Sequence, residues 1–136
     1  MNARRTSRLF VGMAVAFSTA AWADIDGSVP LTCTGVSGLS CDPAKAQCSK
    51  VKPENDVKPV VIIDPAKKTV KTPYRTDLLP IMNSATNNEQ LQLQGTAEKF
   101  AWSAVVNRQT GKVTVTIADR VGAYVIFGQC KAGSGT

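Results

Sequence analysis

The sequence contains no histidine among its 136 residues. Histidine is the usual general base near neutral pH and the commonest protein ligand of zinc and copper. Its absence excludes nucleophilic sites of the Ser-His and Cys-His types. The carboxylates mostly fall in predicted turns, where aspartate has a local backbone role, and no two are placed together by strand alternation. We therefore predict that the protein is not an enzyme and that it holds no cofactor.

The four cysteines lack the spacing of a metal or redox site. No two of them form a C-x-x-C pair, and the intervals between Cys33, Cys41 and Cys48 are seven and six residues. Zinc sites favour intervals of two to four residues, and thioredoxin-type exchange centres need the C-x-x-C pair. The sequence thus predicts no bound metal. An even number of cysteines in a small domain predicts two disulfides wherever the compartment is oxidising.

Aromatic residues are scarce, at 6% of the chain, and they do not alternate with arginines. Proteins that bind single-stranded nucleic acids combine such aromatic platforms with basic grooves, so a nucleic-acid partner is not expected. Beyond residue 23 no hydrophobic run approaches the length of a membrane span, so no membrane anchor is expected either.

Residues 1–23 have the pattern of a secretory signal peptide. Arg4, Arg5 and Arg8 precede an apolar run over residues 9–17, and Ala21-Trp22-Ala23 provides a small-x-small cleavage site. We predict Sec-type export with cleavage after Ala23, and a location in the periplasm or outside the cell. Loss of three of the 16 basic residues leaves 13 against 10 acidic residues, a net charge of +3.

Residues 24–130 show an apolar period of two, which is typical of β-strands. An Asp-Pro turn over residues 64–67 separates two β-branched runs, and residues 107–111 form a turn between two alternating segments, with Gly111 at a left-handed position. Residues 83–88 have the composition of a loop. Only residues 43–49 and 76–82 are compatible with helix, and residues 24–28 and 131–136 are expected to be loose ends.

The fold class predicted from this pattern is all-β. About seven or eight short strands form an antiparallel meander, closed as a small barrel or folded as a sandwich, in a single domain over residues 24–130. Closure removes the exposed sheet edges that promote aggregation. Two disulfides are expected to staple this domain.

The cysteine pairing follows from the positions of the strands. Cys41 and Cys48 flank an Asp-Pro turn, whereas Cys33 lies in the first strand and Cys130 ends the last. In a closed meander the first and last strands are neighbours, which favours Cys33–Cys130 together with Cys41–Cys48. The pairing Cys33–Cys41 with Cys48–Cys130 is the alternative.

Three features are candidates for a binding surface. The loop closed by Cys41 and Cys48 presents Asp42, Lys45 and Gln47, and a linker after Pro73 presents Tyr74 and Arg75. Such surface loops are where contacts with partners are commonly placed. Trp102 is a candidate for stacking against a ligand, but its inward position in an alternating strand predicts that it is mainly a core residue.

Two functions from different classes fit the sequence. The first is a binding protein of the bacterial envelope that acts through protein–protein contacts, with enzyme inhibition as one form and a partner of unknown identity. The alternative is a carrier of a small apolar ligand in the barrel interior. Side chains just fill the interior of a barrel of eight strands, which leaves little room for a ligand. Binding through the surface loops is therefore favoured over binding in the interior.

Two strands resemble those of a known group of proteins. They are the opening strand, which contains Leu31-Thr32-Cys33, and the final apolar strand, residues 125–130. Together with the leader they resemble small periplasmic or secreted β-proteins of Gram-negative bacteria. In overall architecture the chain also resembles the periplasmic inhibitors of c-type lysozyme, which are small disulfide-closed β-barrels. That resemblance implies lysozyme inhibition as a function. The Ser-Gly-x-x-Tyr-like loop of those inhibitors is absent, since Ser37-Gly38 is followed by Leu39-Ser40-Cys41, so no inhibitory residue is assigned.

Overall fold

The computed structural model describes residues 24–52 and 57–133. The predicted signal peptide, residues 1–23, and the last three residues lie outside this part of the chain. Ten β-strands account for its regular structure. In chain order they are β1 (Leu31–Asp42), β2 (Gln47–Val51), β3 (Val60–Asp64), β4 (Thr69–Lys71), β5 (Leu79–Pro80), β6 (Asn83–Thr86), β7 (Gln90–Thr96), β8 (Ala101–Asn107), β9 (Lys112–Ala118) and β10 (Ala123–Ala132).

The strands form one antiparallel sheet that curls into a half-barrel, which confirms the predicted all-β class. Nine strands follow the order β5-β4-β3-β1-β10-β9-β8-β7-β6, and β2 pairs with β1 outside this order. Neighbouring strands in this order follow one another in the chain, with two exceptions. The first strand, β1, lies beside the last, β10, and β2 does not stand between β1 and β3. The fold is therefore the predicted meander, with its last strand, β10, paired to its first, β1.

A single continuous segment joins the two ends of this sheet. Strands β5 and β6 are separated only by Ile81 and Met82. The Ile81 N–H donates to the Lys68 carbonyl oxygen at 2.9 Å, next to β4, and the Met82 N–H donates to the Gln94 carbonyl oxygen of β7 at 2.8 Å. The chain thus passes directly from the β4 side of the sheet to the β7 side and draws the two sides together.

The hairpins predicted around residues 64–67 and 107–111 both form. Strand β8 pairs with β9 such that Ala104 lies opposite Val115, and β3 pairs with β4 across the turn after Asp64. Gly111 has a φ of 71°, the left-handed conformation predicted for it. In each case the turn residues and the alternating apolar pattern specify the same register, which is why these hairpins are readable from the sequence.

The structure corrects several local predictions. None of the described residues is helical: residues 43–46 form a turn, residues 47–49 belong to β2, and residues 76–82 contain β5. The predicted loop at residues 83–88 begins with β6. Strand β10 continues through Ala132, two residues into the predicted tail. No helix among the described residues is long and apolar enough to cross a membrane.

The segment before β1 is also better fixed than predicted. Ile25 is 4% exposed and belongs to the core. The Asp24 carboxylate forms an ion pair with Arg108, whose guanidinium also donates to the Asn87 carbonyl oxygen. Residues 24–28, expected to be a loose end, are therefore anchored against the turn between β8 and β9.

The core lies on the concave face of the half-barrel. Its most deeply buried large side chains are Leu31, Leu91, Leu93 and Val106. In β8 the burial alternates as predicted, with Trp102, Ala104 and Val106 buried and Ala101 and Val105 exposed. Burial of these apolar side chains stabilises the fold by roughly 25 cal/mol per Å² of area removed from water.

Candidate functional site

The concave face encloses an apolar cavity of about 340 Å³. Its walls come from β1, β3, β4, β5, β8, β9 and β10 and from the segment between β4 and β5. The apolar lining residues include Val61, Ile63, Val70, Leu79, Phe100, Trp102, Ala104, Val113, Val115, Ile117 and Ile126. The volume lies at the lower end of the range of about 300–1,000 Å³ that is typical of small-molecule sites.

Small residues in the lining contribute to this unfilled interior. Ala104 of β8 is 2% exposed and lines the cavity, but its side chain reaches only one carbon into it. Gly35 of β1 and Gly128 of β10 lie directly opposite each other in the lining. A Cβ on Gly128 would lie 2.5 Å from the Thr34 carbonyl oxygen, so close packing of the backbone also requires glycine there.

The exposed end of the cavity carries Tyr74 and Arg75, two of the residues predicted to face a partner. Both line the cavity, and Tyr74 is 67% exposed. The Arg75 guanidinium donates from Nε to Asp77 Oδ1 at 3.0 Å and from Nη2 to Oδ2 at 2.8 Å. This two-point geometry matches the planar guanidinium to the carboxylate and balances the charge of Arg75.

The same pair shifts two pKa values in opposite directions. The hydrogen bond from Arg75 is the main cause that holds the pKa of Asp77 below its ordinary value of 3.8. The hydrogen bond to Asp77 is likewise the main cause that raises the pKa of Arg75. Both groups are therefore charged at neutral pH, and they neutralise each other at the edge of the cavity.

We expect the Arg75–Asp77 pair to survive mild acid. A carboxyl with a lowered folded pKa keeps its stabilising interaction above its unfolded pKa and loses it as the pH falls through the folded value. An NMR titration of the Asp77 carboxyl carbon should give a midpoint below 3.8, and Arg75→Gln should move that midpoint back upwards. A midpoint at or above 3.8 in both chains would show that the pair does not form in solution.

The second predicted loop lies at the tip of the hairpin formed by β1 and β2. Cys41 and Cys48 lie directly opposite each other in this hairpin and form a disulfide, as predicted. Asp42 accepts the Ala44 N–H at 2.9 Å and forms an ion pair with Lys45 at 3.4 Å. This disulfide and the Asp42 contacts give the tip a defined shape.

Asp42 and Gln47 also line a shallow groove of about 460 Å³ with Asp119 and Arg120 of the turn between β9 and β10. Tyr74 and Arg75 line the apolar cavity instead. The structure therefore places Tyr74 and Arg75 at the apolar cavity and Asp42 and Gln47 at a separate groove, whereas Lys45 lines neither of them.

The other disulfide also has the predicted pairing. Cys33 of β1 and Cys130 of β10 lie directly opposite each other and are joined across 97 positions of sequence. Cys33 contributes to the cavity wall. All four cysteines are thus bonded, a state that is consistent with an oxidising, exported location.

Two of the carboxylates in predicted turns, Asp64 and Asp119, have the expected backbone role. Asp64 accepts the Lys67 N–H at 3.0 Å, and Asp119 accepts the N–H groups of Val121 and Gly122 at 2.8 and 2.9 Å. Within residues 24–52 and 57–133, no group of three or more Cys, Asp or Glu residues is placed to hold a metal ion.

Sequence reasoning did not find the cavity. A signal was present in the small inward residue Ala104, but alternation alone does not show whether facing side chains meet or leave a gap. That depends on the curvature of the sheet, which adjacent strands set jointly. Comparison of the chain with protein-family models, curated proteins and solved structures gave no match. Function is therefore inferred from the geometry of the half-barrel.

Proposed function

We propose that the protein is an exported binding protein that carries a small apolar molecule in the interior of its half-barrel. The observation that supports this function is the apolar cavity of about 340 Å³ on the concave face. A ligand there would remove apolar lining from water, which is favourable by roughly 25 cal/mol per Å². The predicted leader and the two disulfides support action in the periplasm or outside the cell.

A fluorescence titration with N-phenyl-1-naphthylamine tests this function. This neutral apolar dye brightens when it leaves water, and we expect saturable brightening with the folded protein. Ala104→Leu should weaken the affinity by about tenfold, because the larger side chain occupies the cavity and crowding of a packed site costs about 1–3 kcal/mol.

Ala101→Leu is the matched control for this experiment. Ala101 is on the same strand but faces outwards and is exposed, so the added side chain should leave dye binding unchanged. Thermal unfolding of both variants verifies that they fold. A folded wild-type chain without saturable brightening, or equal affinities in the two variants, would contradict binding in this cavity.

We also propose contact with a protein partner as a second function, with inhibition of c-type lysozyme as the form that the resemblance implies. The hairpin of β1 and β2 favours it: all five residues of β2 are exposed, and a disulfide fixes the adjacent tip. A pre-organised loop loses little entropy on binding. The tip would present Asp42, Lys45 and Gln47.

Native mass spectrometry of protein isolated from cells separates the two functions. A carrier should retain a small apolar molecule, whereas a protein that acts only through its hairpin should not. Absence of a complex with c-type lysozyme at micromolar concentrations would reject the inhibitor function and leave the carrier function intact.

A further inference from the structure

Strand β2 has a free edge. Among the described residues it pairs with β1 alone, on one side, and all five of its residues are exposed. An unpaired strand edge presents N–H and C=O groups to which another extended chain can hydrogen-bond. The disulfide between Cys41 and Cys48 fixes β2 against β1. This edge is therefore already extended and held in place before a partner arrives.

The backbone geometry shows which groups of β2 point away from β1. Cys41 and Cys48 lie opposite each other with their Cα atoms 4.0 Å apart, the short separation of an antiparallel pair that is not hydrogen-bonded. The Cys41 carbonyl oxygen lies on the β10 side instead, where a Cβ on Gly122 would be 2.8 Å from it. By alternation, the N–H and C=O groups of Cys48 and Lys50 point to the free edge. No backbone hydrogen bond outside the strand pairs occupies them among the described residues.

The side chains at this edge carry positive charge. Lys50 and Lys52 are two positions apart and exposed, and neither forms an ion pair with another described residue. Lys45 in the adjacent tip is already paired with Asp42. Between the two lysines, Val51 is 40% exposed, and its side chain lies on the other face of the strand from that of Lys50. The edge thus presents a basic, an apolar and a basic residue in succession.

This charge argues against a second copy of the chain as the occupant of the edge. Pairing of two β2 edges would bring Lys50 and Lys52 of both chains close together, and like charges across a strand pair are destabilising. Lysines on edge strands commonly protect a protein from pairing with itself. A strand that carries negative charges at alternate positions meets attraction at the same place.

From this geometry, and on the basis of the proposed contact with a protein partner, we infer that the β2 edge binds an acidic peptide segment of the partner as an additional strand. The backbone of this segment hydrogen-bonds to the N–H and C=O groups of Cys48 and Lys50. Two acidic side chains at alternate positions face Lys50 and Lys52, and an apolar side chain between them lies beside Val51. In such strand addition the main chain provides affinity and the alternate side chains provide specificity.

Two blocked heptapeptides test this inference: Thr-Val-Glu-Val-Glu-Val-Thr, and the same peptide with lysine in place of each glutamate. By NMR titration in about 0.15 M salt, we expect the acidic peptide to bind the folded protein and the basic peptide not to bind. Lys50→Glu should weaken binding of the acidic peptide about tenfold and allow the basic peptide to bind, because an attraction across the edge becomes a repulsion and the reverse.

Lys131→Glu is the matched control for the charge reversal. Lys131 is exposed on β10, where it lies opposite Thr32 of β1 and away from the part of β1 that pairs with β2. The substitution changes the net charge by the same amount, and it should leave the affinities for both peptides unchanged. Equal weakening of the acidic peptide by Lys50→Glu and Lys131→Glu would contradict a specific contact with the edge.

Amide hydrogen exchange locates the bound peptide. The N–H groups of Cys48 and Lys50 should exchange more slowly with the acidic peptide present, whereas that of Ser49, which points to β1, should change little. Protection around Asp42 and Lys45 instead would overturn the edge site and leave contact through the tip standing. Equal binding of the two peptides, or no binding of the acidic one, would also overturn the edge site alone, because the complex with c-type lysozyme tests the partner function without an added strand.

Discussion

Replacement of Cys33 and Cys130 by alanine is expected to lower the free energy of unfolding by about 4.7 kcal/mol, because the disulfide closes a loop of nearly the whole domain. The two cysteines are 97 positions apart and lie opposite each other in β1 and β10. Without the bond, the unfolded chain gains the freedom to separate its ends. A small domain has a total stability of about 5–15 kcal/mol, so this change removes a large share of it.

Equilibrium unfolding in urea, extrapolated linearly to water, measures this loss. Replacement of Cys41 and Cys48 by alanine is the matched control. It removes a bond of the same kind between directly opposed residues, but across only seven positions. The same chain-entropy relation gives about 2.5 kcal/mol for so short a loop. Equal losses in the two double variants would show that loop length does not determine the stabilisation here.

Both disulfides could be predicted because they depend on strand order alone. A meander that closes on itself brings its first and last strands together, and a turn brings together the cysteines on either side of it. The hairpin of β8 and β9 was equally readable, since Trp102 and Ala104 face inwards together with Val113 and Val115. In these segments the local pattern and the tertiary contacts specify the same structure.

Strands β2 and β6 could not be predicted in this way. All residues of both strands are exposed, so neither has an apolar face that alternates. Each is extended because it pairs with a neighbouring strand: β2 with β1 beside a disulfide, and β6 with β7. Strand formation of this kind depends on tertiary context more than on propensity, which single-sequence reasoning does not contain.

The cavity escaped prediction for a related reason. The sequence shows which residues face inwards, but the space between them depends on how β1 bends. The register of β1 and β10 shifts between Gly35 and Ser37, so one extra residue is accommodated there as a bulge. Bulges bend and twist a strand, and this one lies beside the glycines that line the cavity. The order of the strands was thus predictable, whereas their curvature and the resulting space were not.

The second large effect is expected at Gly95, because no side chain fits at this position of β7. A Cβ there would overlap the Pro80 carbonyl oxygen and lie 2.6 Å from two ring carbons of Trp102. Pro80 belongs to β5, in the segment that joins the two sides of the sheet. Gly95→Ala must therefore displace either this backbone or the indole ring, and we expect a loss of about 3 kcal/mol in the free energy of unfolding.

Gly38→Ala is the matched control, because it makes the same substitution in another strand. Its new Cβ would lie 3.2 Å from a methyl group of Val51, an exposed side chain that is free to rotate away. Alanine also restricts the unfolded chain, which favours folding by about 0.4–1 kcal/mol, so the net change should be small. Urea unfolding of both variants measures the difference. Equal changes in the free energy of unfolding in the two variants would show that the close approach of Pro80 and Trp102 to Gly95 does not matter for stability. If Gly95→Ala alone is destabilising, two contacts depend on this glycine: the approach of β5 to β7 at Pro80, and the packing of the Trp102 ring, which lines the cavity.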